Sequence, residues 1–296
     1  LMRKKDYDKA EPLLKEILQS EPGNEEAVIG LASLSLNKGK QDEAKALLEK
    51  ALKEQKTPSS AVLSMLSNIA IDSNDMATAE GYIKQLMDLS DDDEQLVLQL
   101  AAIYQLTNRE KEVTELLADF VEKHPTALNV RSRLAELALS AGKYDEALKI
   151  VDAAPDNSPK VRLLRAGVIT QSGKVEESIP MLRSIISDSE SDKETVSAAY
   201  MGLASIFVQQ NKPEEAEKAL TLLLERDGDN LQALFMRSGL FFNKRNFIDA
   251  VADMEKVVKL APDDPSAHLW LADVINASGD TDAAEEVISS VIARFP

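Results

Sequence analysis

A small residue returns along this chain at a nearly fixed interval. Ala10, Ala44, Ala79, Val113, Ala147, Ser178, Ala216, Ala250 and Ala284 are spaced by 34, 35, 34, 34, 31, 38, 34 and 34 residues. A period of that length means that one supersecondary unit is stacked on copies of itself, each hiding its apolar side against its neighbours. A chain of 296 residues would otherwise suggest two globular domains; a repeat array instead grows along one axis.

The stretch from Glu25 to Lys56 shows what the unit is. Val28, Leu31, Ala32 and Ser35 fall at i, i+3, i+4 and i+7 and form one stripe of a helix. Asn37-Lys-Gly39-Lys40 then makes a turn, with Gly39 suited to a left-handed C-cap. Asp42 and Glu43 open the next helix, where negative charge meets the positive end of the dipole. That helix carries Ala44, Leu47, Leu48, Ala51 and Leu52 inward. Two antiparallel helices joined by so short a turn must pack together, and a small residue in mid-stripe lets them approach closely. The same grammar recurs in Leu63, Leu66, Ser67 and Ala70, in Val97, Leu100, Ala101 and Tyr104, and in Tyr200, Leu203, Ala204 and Phe207. Gly142, Gly173 and Gly279 mark further turns, and Pro22, Pro125, Pro262 and Pro296 close units where a helix must stop.

Composition agrees with helices rather than sheets. Aromatic residues make up only 4% of the chain, and Gly and Pro number 11 each. There is no cysteine, which removes disulfides, thiolate metal sites and cysteine nucleophiles. A net charge of −17 repels nucleic acid and anionic membrane surfaces and favours basic polypeptides. No apolar run approaches the roughly 20 residues of a membrane span, and Leu1-Met-Arg-Lys-Lys passes into repeat sequence without a signal-peptide pattern. The chain starts inside one repeat and stops at a repeat terminus, so it reads as a piece of a longer protein.

Leu100-Ala101-x-x-Tyr104 with Phe120 and Pro125, and Leu203-Ala204-x-x-Phe207 with Ala216, closely resemble the tetratricopeptide repeat signature. The resemblance spans essentially the whole chain, residues 1–296: a lone second helix at 1–22 and then eight helix pairs. It implies an all-α solenoid of stacked antiparallel helix pairs, wound as a right-handed superhelix, with first helices lining a concave groove. The chain departs from the family where Val28, Arg131, Arg162 or His268 stands in place of the frequent Trp. Arg165 and Arg237 replace the stripe Leu, and are expected to lay their stems along the core with the charge in water. The Lys/Asn/Arg set with which family members grip acidic chaperone tails is absent.

Two intervals break the period. The second helix of the 31-residue interval is expected to end at Asp152-Ala-Ala-Pro155, before Pro159 restarts the chain. Ser187–Asp192 is expected to supply the extra residues of the 38-residue interval. The readings are a tolerated length variant, or a bend or hinge at 152–160.

Catalytic ingredients are thin. The two histidines, His124 and His268, lie on distant repeats, and no phosphate loop, HExxH or zinc spacing occurs. Neither a cofactor nor a metal is expected. The acidic runs at Asp91–Glu94, Asp227–Asn230 and Asp263-Asp264 fit helix N-capping better than calcium binding. The expected function is a non-enzymatic scaffold that takes a protein or peptide segment, with apolar anchors and basic character, into the groove. Nucleic-acid binding and direct membrane insertion are not expected. The phrases Ala10-Glu-Pro-Leu-Leu14 and Gly142-Lys-Tyr-Asp-Glu-Ala147 resemble bacterial envelope and polysaccharide-export repeat proteins; a regulatory or substrate-recruiting arm of a larger enzyme is the alternative.

Groove positions on the first helices of the later repeats read Met201, Ser205, Val208; Phe235, Gly239, Phe242; Leu269, Asp273, Asn276. Met201, Phe235, Met236, Phe242, Leu269 and Trp270 form the candidate partner-binding patch, because Trp, Phe and Met dominate interface energetics. The opposing reading is that these side chains fill the inner wall. Val287, Ile288, Val291 and Ile292 are expected to face beyond the last repeat, which would allow self-association there.

Overall fold

The structure is a computed structural model that describes residues 4–54 and 58–294; Pro296, the last of the unit-closing prolines, lies outside the described residues. Seventeen helices and no strand occur among the described residues. They fall into two compact units, one reaching to residue 137 and one from 138 onward. The first unit holds α1 (Lys4–Ser20), α2 (Glu25–Asn37), α3 (Gln41–Glu54), α4 (Ser60–Asp72), α5 (Met76–Leu89), α6 (Glu94–Leu106), α7 (Glu110–Lys123) and most of α8 (Leu128–Ser140). The second holds α9 (Tyr144–Asp152), α10 (Pro159–Gln171), α11 (Val175–Ser187), α12 (Lys193–Gln209), α13 (Pro213–Arg226), α14 (Leu231–Asn243), α15 (Phe247–Leu260), α16 (Pro265–Ser278) and α17 (Thr281–Arg294). Consecutive helices pack on one another from α1 to α7 and from α9 to α17, as hairpins stacked in an all-α solenoid.

The repeating small residue works as expected. Ala44, Ala79, Ala147, Ser178, Ala216 and Ala250 have no solvent exposure at all. A second small residue stands 12 positions earlier, on the first helix, as Ala32, Ser67, Ala101, Ala135, Ala166, Ala204, Ser238 and Ala272, each at most 2% exposed. The two series meet: Ser238 Oγ donates to the carbonyl of Ala250 at 3.2 Å. Ser178 is tolerated in place of alanine because its hydroxyl donates to Val175 O at 2.8 Å and accepts from Thr170 Oγ1 at 2.9 Å. Four positions after the landmarks from Ala44 to Ala250 a larger side chain closes the core: Leu48, Ile83, Leu117, Val151, Leu182, Leu220 and Met254 are all buried. Burying one such side chain stabilises by about 2 kcal/mol.

Each turn inside a hairpin contains one residue in the left-handed region, always five positions before the landmark. Glycine fills it at Gly39, Gly142, Gly173 and Gly279, but Asn74, Asn108, Asn211 and Arg245 take the same conformation with φ of 55–58°. The next residue's N–H reaches back five positions, as in Lys40 N to Ser35 O (2.8 Å) and Lys212 N to Phe207 O (2.8 Å), which is the 6→1 bond of a Schellman ending. Asparagine tolerates this region at modest cost; arginine does not. The glycine rule therefore recovers half of the turns, and the fixed offset from the alanine recovers the rest.

Between hairpins the logic changes to side-chain caps. Asn24, Ser59, Asp93, Ser158, Asp192, Asn230 and Asp264 each accept from the backbone at the start of a first helix. The acidic runs thus contribute Asp93, Asn230 and Asp264 as caps. Asp192 is pulled down to about 2, chiefly by its hydrogen bond from Thr195, with Lys160 adding to it. Arg131, in the family's Trp position, is buried and sends Nη2 to the carbonyl of Pro125 at 2.8 Å. His268 Nε2 lies 2.9 Å from Pro262 O in the equivalent arrangement. Both side chains staple an inter-hairpin turn six residues behind them.

Three expectations need correction. α9 does end at Asp152, but the 38-residue interval lengthens a helix more than a loop: α12 has 17 residues where α10 and α14 have 13. Only 188–192 separate α11 from α12; the added residues lie inside the helix, behind the Asp192 cap. α12 packs against α10 as well as α11. Arg237 does not hold its charge in water: Nε and Nη2 meet Asp253 at 2.9 and 2.7 Å, Nη1 meets Thr221 Oγ1 at 3.2 Å, and Asp253 is buried. Arg165 remains half-exposed, with Asp152 at 2.8 Å. Of the four α17 residues expected to face outward, only Ile288 and Ile292 are exposed; Val291 is buried and Val287 half-buried, because the helix rotates that edge onto α16.

Candidate functional site

The first helices α12, α14 and α16 present three rows of equivalent positions, each 34 residues apart. Met201, Phe235 and Leu269 form one row; Ser205, Gly239 and Asp273 the next; Val208, Phe242 and Asn276 the third. The period places these residues on the side of each helix away from its buried stripe, so the same local packing that buries Leu203, Leu234 and Leu271 turns them outward.

The patch divides by depth. Phe235 and Leu269 are open, at 44% and 47% exposure. Met201 and Met236 are half-buried and pack onto the core of α10–α14. Phe242 and Trp270 are half-buried against the core of α14–α16. Trp270 ties the rings together: its centroid lies 6.2 Å from Phe235 and 5.1 Å from Phe242, and Phe247 meets Phe242 edge-on at 5.7 Å. Trp270 Nε1 donates to Ser238 Oγ at 3.3 Å, the hydroxyl that bonds the Ala250 carbonyl. The indole is therefore fixed to the hairpin junction beneath it while its ring borders the outer surface.

Beside Phe235 lies an open cleft of about 650 Å³, lined by Met201, Ser205, Phe235, Met236, Leu231 and Asp264 among others. Leu231, absent from the expected patch, is 40% exposed and stands one turn before Phe235 on the same face of α14; that i, i+4 relation is the sequence signal that points to it. Asp264 belongs to the cleft rim as well as to the α16 cap, accepting from Ser266 N at 2.9 Å. Behind the cleft, the Arg237–Asp253 pair and Thr221 link α13, α14 and α15 and hold α14 in place. The bond to Asp253 raises Arg237 above the ordinary arginine value against the opposing pull of burial.

The histidines serve structure. His124 caps α7 and stacks on Phe120 at 4.4 Å, and His268 staples its turn. Among the described residues no group of three or more His, Asp or Glu side chains is placed to hold a metal ion, and no helix is long and apolar enough to cross a membrane.

A tetratricopeptide repeat family model matches residues 1–69, 111–168 and 243–296, and a second tetratricopeptide repeat model matches 201–247. The human Protein O-mannosyl-transferase TMTC1 is 25% identical over 174 residues, or 56% of this chain and 19% of that protein. The chain thus spans about a fifth of the length of that curated relative. Among solved structures, a tetratricopeptide repeat protein from Parabacteroides merdae ATCC 43184 superposes with a TM-score of 0.56 at 16% identity, covering 84% of this chain and 98% of that one. PilF of Pseudomonas aeruginosa gives a TM-score of 0.50 at 16% identity, over 68% of this chain and 91% of that one. At such identities the superpositions speak for the fold. The hairpin grammar, its period and the matched family models lead to one conclusion: the chain belongs to the tetratricopeptide repeat family.

Proposed function

We propose that the chain is a non-enzymatic scaffold that binds a polypeptide segment across the first helices α12, α14 and α16. Tetratricopeptide repeats are protein-interaction scaffolds. The observation that carries this particular site is the exposure of Phe235 beside an open cleft and of Leu269 on the next first helix, with Trp270 anchored between Phe235 and Phe242. Large apolar side chains left open next to fixed aromatic rings are the usual makings of a binding hot spot. The net charge of −17 favours a basic partner and predicts that binding weakens as ionic strength rises. A bacterial envelope or polysaccharide-export assembly is the setting that the repeat phrasing supports.

The test is a pull-down with mass spectrometry to identify the native partner, followed by titration of Phe235→Ala/Trp270→Ala. The double variant is expected to keep its helical content and lose about 10–100-fold in affinity. Unchanged affinity would remove this face as the site. A second reading, a substrate-recruiting arm of a larger enzyme, is favoured by the aligned segment of the O-mannosyl-transferase. A catalytic domain encoded in the same gene would support it.

A further inference from the structure

Five glycines stand inside helices of this chain, where glycine is unfavourable relative to alanine. Two have a packing reason: a Cβ on Gly30 would come within 3.0 Å of Leu14, and one on Gly202 within 3.3 Å of Leu182. At Gly81, Gly167 and Gly239 a Cβ would meet nothing within 4 Å. Gly81 and Gly167 lie on exposed helix faces, whereas Gly239 is half-buried. It sits one turn after Phe235 and three residues before Phe242, beside Trp270 and next to the Ser238 that holds the indole. Gly239 thus leaves a recess between Phe235 and Phe242 on one face of α14, open above Cα, and nothing in the chain's own packing requires it to be glycine.

The charge around this recess is one-sided. Asp273, the equivalent of Gly239 on α16, is exposed, and Asp264 stands at the cleft rim. The nearby cations are already engaged: Arg237 with Asp253, Lys256 with Asp229 at 3.1 Å, and Lys193 with Asp227 at 2.8 Å. We propose that Gly239 is a specificity-determining position at which the main chain of a basic partner segment crosses α14. An apolar side chain of that segment enters the cleft beside Phe235, and a Lys or Arg side chain meets Asp273. This rests on the groove reading above and adds to it the point of closest approach and the polarity of the occupant. A Cβ at 239 costs the array nothing and fills the space the visiting backbone needs.

The test uses two matched sets of short synthetic peptides, each carrying one Leu, Phe or Met, flanked by lysines in one set and by glutamates in the other. Trp270 is the single tryptophan of the chain, so its fluorescence reports occupancy, with calorimetric titration as a second readout. The lysine set is expected to bind. Gly239→Ala should raise Tm by about 2 °C and weaken the lysine peptides about tenfold. Asp273→Asn should weaken the lysine peptides and lower the salt dependence measurably, and Gly167→Ala should raise Tm with affinity unchanged. Gly239→Ala binding as tightly as the parent, or glutamate peptides binding as well as lysine peptides, overturns the proposal. Loss with Phe235→Ala but not with Gly239→Ala and Asp273→Asn would sink this inference and leave the groove reading standing. If no peptide of either set binds, both fall.

Discussion

The first helices of the two units are built to one plan and furnished differently. In the unit ending at residue 137, the outward positions are Ile29, Ser33, Leu36, Ser64, Asn68, Ile71, Leu98, Ala102, Gln105, Ser132 and Glu136. None is aromatic, and the most open among them are Asn68, Ala102 and Glu136. The aromatic chemistry of that unit points elsewhere: Tyr104 is buried under Arg109, whose guanidinium lies 4.1 Å from the ring centroid and bonds Glu80 and Glu112. In the unit starting at 138, the same positions carry Met201, Phe235, Phe242 and Leu269 around a fixed indole. The buried series of small and large residues is shared by both units, so the fold does not require the difference. What the hairpins demand is confined to their inner stripes; what they offer to a partner is written on the positions the stripes leave free.

The comparison fails if the inner stripes are not equivalent. Leu48→Ala and Leu220→Ala, at matching positions with no exposure, should each cost about 2–5 kcal/mol in urea unfolding, and a near-neutral result in either unit would show that its hairpins are held by something else. Asp253→Ala addresses what only the second unit has. It strands a half-buried Arg237, and a loss of about 3 kcal/mol is expected; a loss well under 1 kcal/mol would mean that solvent already reaches the pair. On the outer face, Leu269→Ala should weaken partner binding by about tenfold with little change in Tm, while Ile29→Ala should leave binding as it was. Equal effects of the two on affinity would abolish the distinction between the units.

Turn residues give a smaller effect. Arg245→Gly should stabilise by about 1 kcal/mol, since the left-handed conformation costs arginine roughly that much. Gly39→Ala should lose a similar amount, and both are read from thermal melts. The smallest effect is read by pH, at one ion pair of the first unit. In the first, Glu80 is held down at about 2, chiefly by its bond from Arg109. Because its folded value lies below the unfolded one, its contribution is present above the ordinary carboxylate range and disappears as pH falls through about 2. Glu80→Gln should therefore flatten the acid limb of the stability profile of residues 4–137, measured by circular dichroism between pH 5 and 2.

Most of the architecture was legible because it rests on periodicity. Ala44 and its successors, the caps at Asp93 and Asp264, and the helix end at Asp152 all follow from residue type and spacing alone. Three features did not. Asn74, Asn108, Asn211 and Arg245 carry the turn conformation without the glycine that announces it, because the backbone is dictated by the hairpin and the side chain merely survives it. The Arg237–Asp253 pair joins residues 16 apart on different helices, a relation no single-helix period contains. The depth of each patch residue was also hidden: Trp270 and Phe242 lean onto the core while Phe235 and Leu269 stand clear, and only the neighbouring helix decides which.

The extended α12 has a consequence for how the second unit opens. In a stack where every hairpin leans only on the one before and the one after, amide exchange can proceed hairpin by hairpin. Helix α12 reaches past α11 to α10. Residues 159–187 therefore cannot fray away while α12 stays folded without giving up a second contact surface. Their amides should exchange in step with those of 193–226, as one cooperative block rather than two, and that block forms the bed on which Met201 is laid.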